Sequence, residues 1–210
     1  MLYFNKLMIK GLYAVTPDIT DTQSLSDMVT AALQGGAGLV QYRNKQANAG
    51  LQHIQASALL TICRQFEVPL IINDDVALCA LLDADGVHLG GTDGDIAAAR
   101  KSLGPEKIIG ASCYNRLELA QQAAKQGASY VAFGACFDSS TKPNAAVASL
   151  DLFAQAKKFN LPTVAIGGIT LENVQSVKQA GADAAAVINA LFGSNDIQAT
   201  ATKFVQLLNS

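Results

Sequence analysis

The 210-residue sequence predicts a (β/α)8 barrel forming a single domain over residues 1–210. Short apolar, strand-like runs alternate with helical stretches from one end to the other, making eight strand–helix units. No Pro/Gly-rich linker interrupts the series. Glycine or another small residue follows several helical stretches, in "QGGAG", "LLDADG", "KQGAS" and "KQAGAD". There a left-handed cap lets the chain turn into the next strand. A doubly wound open sheet is the alternative, but eight units in a chain of this length favour closure.

The strands are predicted at Leu12–Thr16, Gly38–Arg43, Pro69–Asp74, Gly86–Gly90, Lys107–Ser112, Tyr130–Ala135, Thr163–Gly168 and Ala184–Leu191. Helices are expected to begin near Ser24, Gly50, Val76, Asp95, Arg116, Leu150, Leu171 and Asp196. Half of the residues are hydrophobic and 15% are charged, which excludes a disordered chain. A net charge of −2 gives no general attraction to nucleic acid or to an anionic membrane, so anion binding has to be local. The segment from Met1 to Gly11 carries Lys6 and Lys10 within a short apolar run and lacks the features of a signal peptide. No segment has the uninterrupted apolar length of a membrane span. Cys63, Cys79, Cys113 and Cys136 show no C-x-x-C spacing, and reduced thiols in a cytoplasmic protein are the simplest reading. Cys136 lies near a polar loop but has no activating base beside it.

In a barrel, ligand sites lie at the carboxyl ends of the strands. Strand two ends Gln41-Tyr42-Arg43-Asn44-Lys45. Alternation puts Gln41 and Arg43 on one face, with Lys45 following if the chain stays extended. Such a set suits a diphosphate, while a solvated loop with Arg43 paired to a carboxylate is the plainer alternative. Strand three ends Asn73-Asp74-Asp75, and strand four leads into Gly91-Thr92-Asp93. Asp74 and Asp93 on one rim, without sulfur or clustered histidine, suit magnesium. One of Asp74 and Asp75 is expected to cap the next helix, and Asp75 is the better candidate. His88 reads as a hydrogen-bonded barrel residue before a general base.

Ser112 ends strand five, Gly167-Gly168 ends strand seven, and Ile188-Asn189 lies on strand eight. Loops after strands seven and eight commonly form a phosphate cup. Ser139-Ser140-Thr141-Lys142 follows strand six. Alone it reads as a surface turn or as a receptor for a phosphorylated ligand, and the polar clusters at the other strand ends favour the receptor.

These segments, taken in order, resemble the thiamine-phosphate synthase family through nearly the whole chain. "GLYAVTP", "QYRNK", "IINDD", "GVHLGGTD", "IIGAS", "FGACFDSSTK", "AIGGI" and "AGADAAAVINALF" carry the resemblance. It implies a transferase in thiamine biosynthesis. A hydroxymethyl-aminopyrimidine diphosphate would be coupled to a phosphorylated hydroxyethyl-thiazole, with Mg2+ assisting and pyrophosphate leaving first. The resemblance assigns Gln41, Arg43, Lys45 and Asn73 to the pyrimidine diphosphate, and Asp74 and Asp93 to magnesium. Ser112 and Lys142 would contact the same substrate, Lys142 at the departing pyrophosphate. Ser139 and Thr141 would hold the thiazole phosphate with Gly168 and the Ile188–Asn189 backbone. Tyr42, Asn44 and Ser140 belong to the same substrate-binding segments, and Arg43, Lys45 and Lys142 are the expected catalytic residues.

The sequence departs from the family's commonest pattern at Gly91, where glutamine is usual, and at Ala135 and Asp138, which replace prolines. Asn189 stands where serine is frequent. Related readings are a thiazole tautomerase and a non-catalytic phosphate-binding barrel, but neither needs a diphosphate–magnesium rim. The expected partners are the two small-molecule substrates, with no nucleic acid and no membrane. A homodimer is compatible with a barrel, although no surface stripe identifies an interface.

Overall fold

Eight parallel strands close into a barrel in sequence order in the computed structural model, which describes residues 9–91, 94–138 and 148–210. The strands are β1 (Gly11–Val15), β2 (Leu39–Tyr42), β3 (Leu70–Asn73), β4 (Gly86–Leu89), β5 (Ile108–Tyr114), β6 (Tyr130–Phe133), β7 (Thr163–Ile166) and β8 (Ala184–Val187). The last pairs with the first, Leu12 opposite Ala185 and Tyr13 opposite Ala186, so no sheet edge remains in the ring. The helices that matter below are α1 (Thr22–Gln34), α2 (Ala49–Gln65), α3 (Val76–Leu82), α4 (Ile96–Leu103), α5 (Leu117–Lys125), α6 (Asp151–Ala156), α7 (Val174–Gln179), α8 (Asn189–Phe192) and α9 (Ile197–Asn209).

Local chemistry explains where the helices start. Asp21, Asn48, Asp75, Asp95 and Asp196 each accept a hydrogen bond from a backbone N–H of the helix they precede. Each such cap contributes about 1 kcal/mol. Where the chain leaves α1, α5 and α7, Gly36, Gly127 and Gly181 take positive φ, as the small-residue segments predict. In "LLDADG" the left-handed residue is Asp83 instead, at φ 52°, and its carboxylate accepts a hydrogen bond from Lys107. Gly86 serves a different need, because a Cβ there would stand 2.2 Å from the Ile108 carbonyl oxygen.

Alternation along the strands divides the core in two. One set of side chains fills the barrel: Tyr13, Val15, Leu39, Ile71, Ile108, Tyr130, Ala132, Val164, Ala184 and Ala186. The other points outward beneath the helices, where Phe133 meets Phe153 edge-to-face at 5.7 Å. Burying a phenylalanine this fully contributes about 1.5–3 kcal/mol. At the amino-terminal end of the strands, Asp85 accepts from the Leu70 N–H, and Asp183 accepts from the N–H and hydroxyl of Thr163. Arg100 donates there to the carbonyls of Gly104, Lys107 and Gly127. These charged groups hold loops together on the face opposite the predicted site.

Four predicted strands differ from the structure by more than one residue at their carboxyl ends; strands six and seven stop two residues early, at Phe133 and Ile166. Strand eight ends at Val187 rather than Leu191, because Ile188 O accepts from the N–H groups of Leu191 and Phe192 and starts the short helix α8. Both of those side chains are buried against the outer core. Strand five runs on to Tyr114, with its register to β6 shifting between Ser112 and Tyr114. No helix among the described residues is long and apolar enough to cross a membrane.

Candidate active site

β2 and β3 lie side by side, with Tyr42 opposite Ile72, and their carboxyl ends open into a cleft of about 580 Å3. Arg43, Asn44, Lys45, Asn73 and Asp74 all line it. Thr16 fixes the exit of β2: its hydroxyl donates to Arg43 O and accepts from Arg43 N–H. The Arg43 guanidinium lies 3.3 Å from Asp18, whose carboxylate also accepts from the Lys45 backbone N–H at 3.0 Å. Asp18 therefore sets the course of the basic loop, although the sequence reading did not single it out. Its signal was its place just beyond β1, on the rim where polar residues carry weight.

Asn44 is buried, and its side chain shapes the loop. It donates to Ile19 O and Gln55 Oε1 and accepts from the N–H groups of Gln46 and Ala47. Tyr42 is buried too, and its hydroxyl donates to the same Gln55 oxygen. Burial pushes the Tyr42 phenol up to about 12, with the Asp18 charge adding to the effect. Gln55, fully buried on α2, is thus the anchor under this part of the mouth.

Asp74 occupies the left-handed region at φ 63°, stabilised by its N–H donating to His88 O at 2.8 Å. Its carboxylate accepts from Asn73 Nδ2 at 2.6 Å and stands 3.5 Å from Lys45 Nζ. Asp75 instead caps α3, its carboxylate accepting from Leu78 N–H at 2.8 Å. The two adjacent carboxylates thus do separate work, as the sequence suggested. Asp75→Ala is accordingly expected to lower stability by about 1 kcal/mol in a urea titration and leave turnover unaffected.

Across the mouth, Ser112 lies within 2.8 Å of His88 Nε2, and His88 Nδ1 is 2.9 Å from the Tyr130 hydroxyl. Tyr130 and Tyr13 touch hydroxyl to hydroxyl at 2.8 Å, and Gln41 Nε2 donates to Tyr13 at the same distance. His88 is therefore the hydrogen-bonded barrel residue expected. Tyr13 and Tyr130 were not anticipated, because a strand-period pattern does not say which face of a buried parallel strand looks inward.

The loop after β7 fits tightly under the loop after β6. A Cβ on Gly168 would meet Asp138 O at 2.5 Å, and one on Gly167 would meet Ala135 Cα at 2.7 Å. Gly168 also has φ 64°, so both space and backbone call for glycine. The exposed Asp138 presses on Gly168 through its backbone carbonyl. Ile188 and Asn189 follow at the start of α8 on the same rim. At the Gly91 departure, the glycine N–H donates to the Tyr114 hydroxyl at 3.3 Å. An added Cβ would come within 3.3 Å of that ring.

Asp93, Ser139, Ser140, Thr141 and Lys142 lie outside the described residues. All four cysteines are buried, and burial raises each thiol, Cys63 and Cys113 to about 12 and Cys79 and Cys136 to about 11. None is poised as a thiolate nucleophile.

Fold and rim together define a parallel α/β barrel whose polar, partly charged mouth stands at the carboxyl ends of the strands, the usual place for chemistry in such barrels. The sequence profile described as thiamine monophosphate synthase matches residues 12–191, and the chain belongs to that family. A thiamine-phosphate synthase of Methylobacillus flagellatus is 63% identical over 201 residues, covering 96% of each chain. One from Nitrosospira multiformis is 54% identical and covers 93% of this chain and 84% of its own. The solved structure of a thiamine phosphate pyrophosphorylase from Pyrococcus furiosus superposes with a TM-score of 0.86 at 32% identity, over 98% of this chain and 96% of the other. A 3-hexulose-6-phosphate synthase, at 18% identity and a TM-score of 0.70 over 95% of this chain and 100% of its own, shares the fold.

Proposed function

We propose that the chain acts as a thiamine-phosphate synthase through the cleft between β2 and β3, coupling a hydroxymethyl-aminopyrimidine diphosphate to a phosphorylated hydroxyethyl-thiazole. The observation that carries this reading is the company kept by Asp74. A part-exposed carboxylate, an adjacent amide and the Lys45 ammonium share one cleft with Arg43. A diphosphate leaving group needs such a mixture of cations and hard oxygen donors.

The donor chemistry of Asp74 fits magnesium, and Asp93 is its proposed second ligand. Magnesium, when bound, would neutralise charge on the diphosphate oxygens. Arg43 and Lys45 grip the same oxygens, with Arg43 exchanging Asp18 for the substrate, and Asn73 orients Asp74. Lys142 attends the departing pyrophosphate. The carbon–oxygen bond to the diphosphate breaks, and its electron pair leaves with pyrophosphate. The thiazole nitrogen then gives its lone pair to the pyrimidinylmethyl carbon. Ser139, Ser140 and Thr141 with Gly168, Ile188 and Asn189 hold the thiazole phosphate so that its nitrogen faces that carbon. Tyr42 and Asn44 serve by shaping the loop that carries Arg43 and Lys45.

No step calls for a general base or a nucleophile from the protein, in keeping with the raised thiols and the internally bonded histidine. A tautomerase or a phosphate sensor has no use for the carboxylate–cation cleft. Four buried free thiols agree with a cytoplasmic enzyme, and a homodimer is part of the proposal. Purified protein is expected to form thiamine phosphate and pyrophosphate from the two substrates with magnesium, and to stop when the metal is chelated. Folded protein that makes no product from fresh substrates overturns the assignment.

A further inference from the structure

Five side chains form one hydrogen-bonded line through the barrel, from Gln41 on β2 through Tyr13, Tyr130 and His88 to Ser112 on β5. Each link is between 2.8 and 2.9 Å. Tyr13 and Tyr130 are fully buried, His88 and Gln41 are nearly so, and the His88 and Tyr130 rings stack at 5.6 Å. The barrel makes room for this stack at Gly110, where a Cβ would fall 2.3 Å from the Tyr130 hydroxyl and 2.5 Å from His88 Nδ1.

The line has a direction. With the Gln41 amide set so that Nε2 faces Tyr13 and donates, the Tyr13 oxygen accepts, and its single proton is left for Tyr130, its other hydrogen-bond partner. Tyr130, having accepted, gives its own proton to His88 Nδ1. An imidazole that accepts at Nδ1 carries its proton on Nε2, and Nε2–H then donates to Ser112 Oγ. With one lone pair of Oγ occupied in this way, the Ser112 hydroxyl hydrogen is left to turn away from His88. At the other end, spending Nε2 on Tyr13 leaves Gln41 Oε1 as an acceptor.

We propose that His88 is a positioning residue, held as the Nε2–H tautomer by Tyr13 and Tyr130 so that Ser112 presents a hydrogen-bond donor to the pyrimidine substrate. The same line presents an acceptor at Gln41. A donor on one wall and an acceptor on the other match an aminopyrimidine, which carries amino N–H groups and ring nitrogen lone pairs. This deepens the synthase reading and rests on it for the identity of the ligand. The tautomer does not depend on that reading: it rests on the amide orientation of Gln41 and the hydrogen bonds along the line.

The chain has only two histidines, His53 and His88, and His53 is exposed on α2. Nitrogen-15 imidazole spectra of the full-length, ligand-free protein can therefore be assigned with a His53→Gln variant. His88 is expected to show an unprotonated Nδ1 and a protonated Nε2. The opposite tautomer would mean that Ser112 donates to His88, and it overturns the proposal.

Tyr130→Phe keeps the ring and removes the proton given to Nδ1. His88 is expected to lose its single-tautomer signature, and kcat/KM for the pyrimidine diphosphate to fall about three- to tenfold, the worth of one hydrogen bond. KM for the thiazole phosphate is expected to stay unchanged. A variant that loses the tautomer but keeps wild-type kcat/KM also overturns the positioning role. Coupling by the wild-type protein is measured alongside. The Nε2–H tautomer in a protein that does not couple would refute the synthase reading and the role at that substrate, while leaving the assigned direction of the line intact.

Discussion

Asp74→Asn is expected to lower kcat by at least about 100-fold while shifting stability by less than about 1 kcal/mol. Loss of a partner behind a metal ligand commonly costs 10- to 100-fold in affinity or activity, so removing the charge of Asp74, the proposed ligand itself, should exceed that range. Stability is another matter. The Lys45–Asp74 pair is 3.5 Å apart, with the lysine side chain 56% exposed, and such pairs contribute roughly 0–1 kcal/mol. Asparagine is the informative replacement because Asp74 sits at φ 63°, a conformation that Asn tolerates and Ala adopts at a cost of about 1–2 kcal/mol. Raising magnesium should restore part of the turnover if weak metal binding is the cause. Turnover near that of wild type, measured at saturating substrates with low magnesium, would remove Asp74 from the metal site.

The roles of adjacent residues were legible where local rules govern them. Asp75 stands ahead of an apolar helical run, as an N-cap does, and its carboxylate bonds Leu78 N–H. That left Asp74 for the rim. The corrections arise where a tertiary contact decides. "NALF" after Val187 continues an apolar run and reads as more strand, yet Leu191 and Phe192 turn back as a helical coil onto the outer core. Arg43 shows why alternatives had to stay open. Alternation carried it to the mouth, but its partner Asp18 is 25 residues away and belongs to a neighbouring strand end. Tyr13 and Tyr130 lie 117 residues apart, and only barrel closure brings their hydroxyls together. Strands covered on both faces read as apolar throughout, which hides the few polar atoms that meet inside.

Gly110→Ala tests that hidden interior most severely, and it is expected to destabilise the protein by about 3 kcal/mol or more. The new methyl would have to occupy space 2.1 Å from Tyr130 Cζ, 2.3 Å from its hydroxyl and 2.5 Å from His88 Nδ1. Neither ring has an easy retreat. Tyr130 is fully buried, packed edge-on against Tyr13 at 6.1 Å and stacked on His88, so moving it breaks hydrogen bonds as well as packing. Overpacking alone typically costs 1–3 kcal/mol, and each buried polar group left unmatched adds about 1–3 kcal/mol. Gly50→Ala is the matched control. It lies inside α2, where a Cβ would meet nothing closer than Asn48 Oδ1 at 3.5 Å, so alanine should stabilise by up to about 1 kcal/mol. Urea unfolding of the two variants should therefore move in opposite directions. A Gly110→Ala protein with the wild-type midpoint would mean that the tyrosine–histidine stack can slide within the barrel. A stack that loose could not hold Ser112 to one orientation.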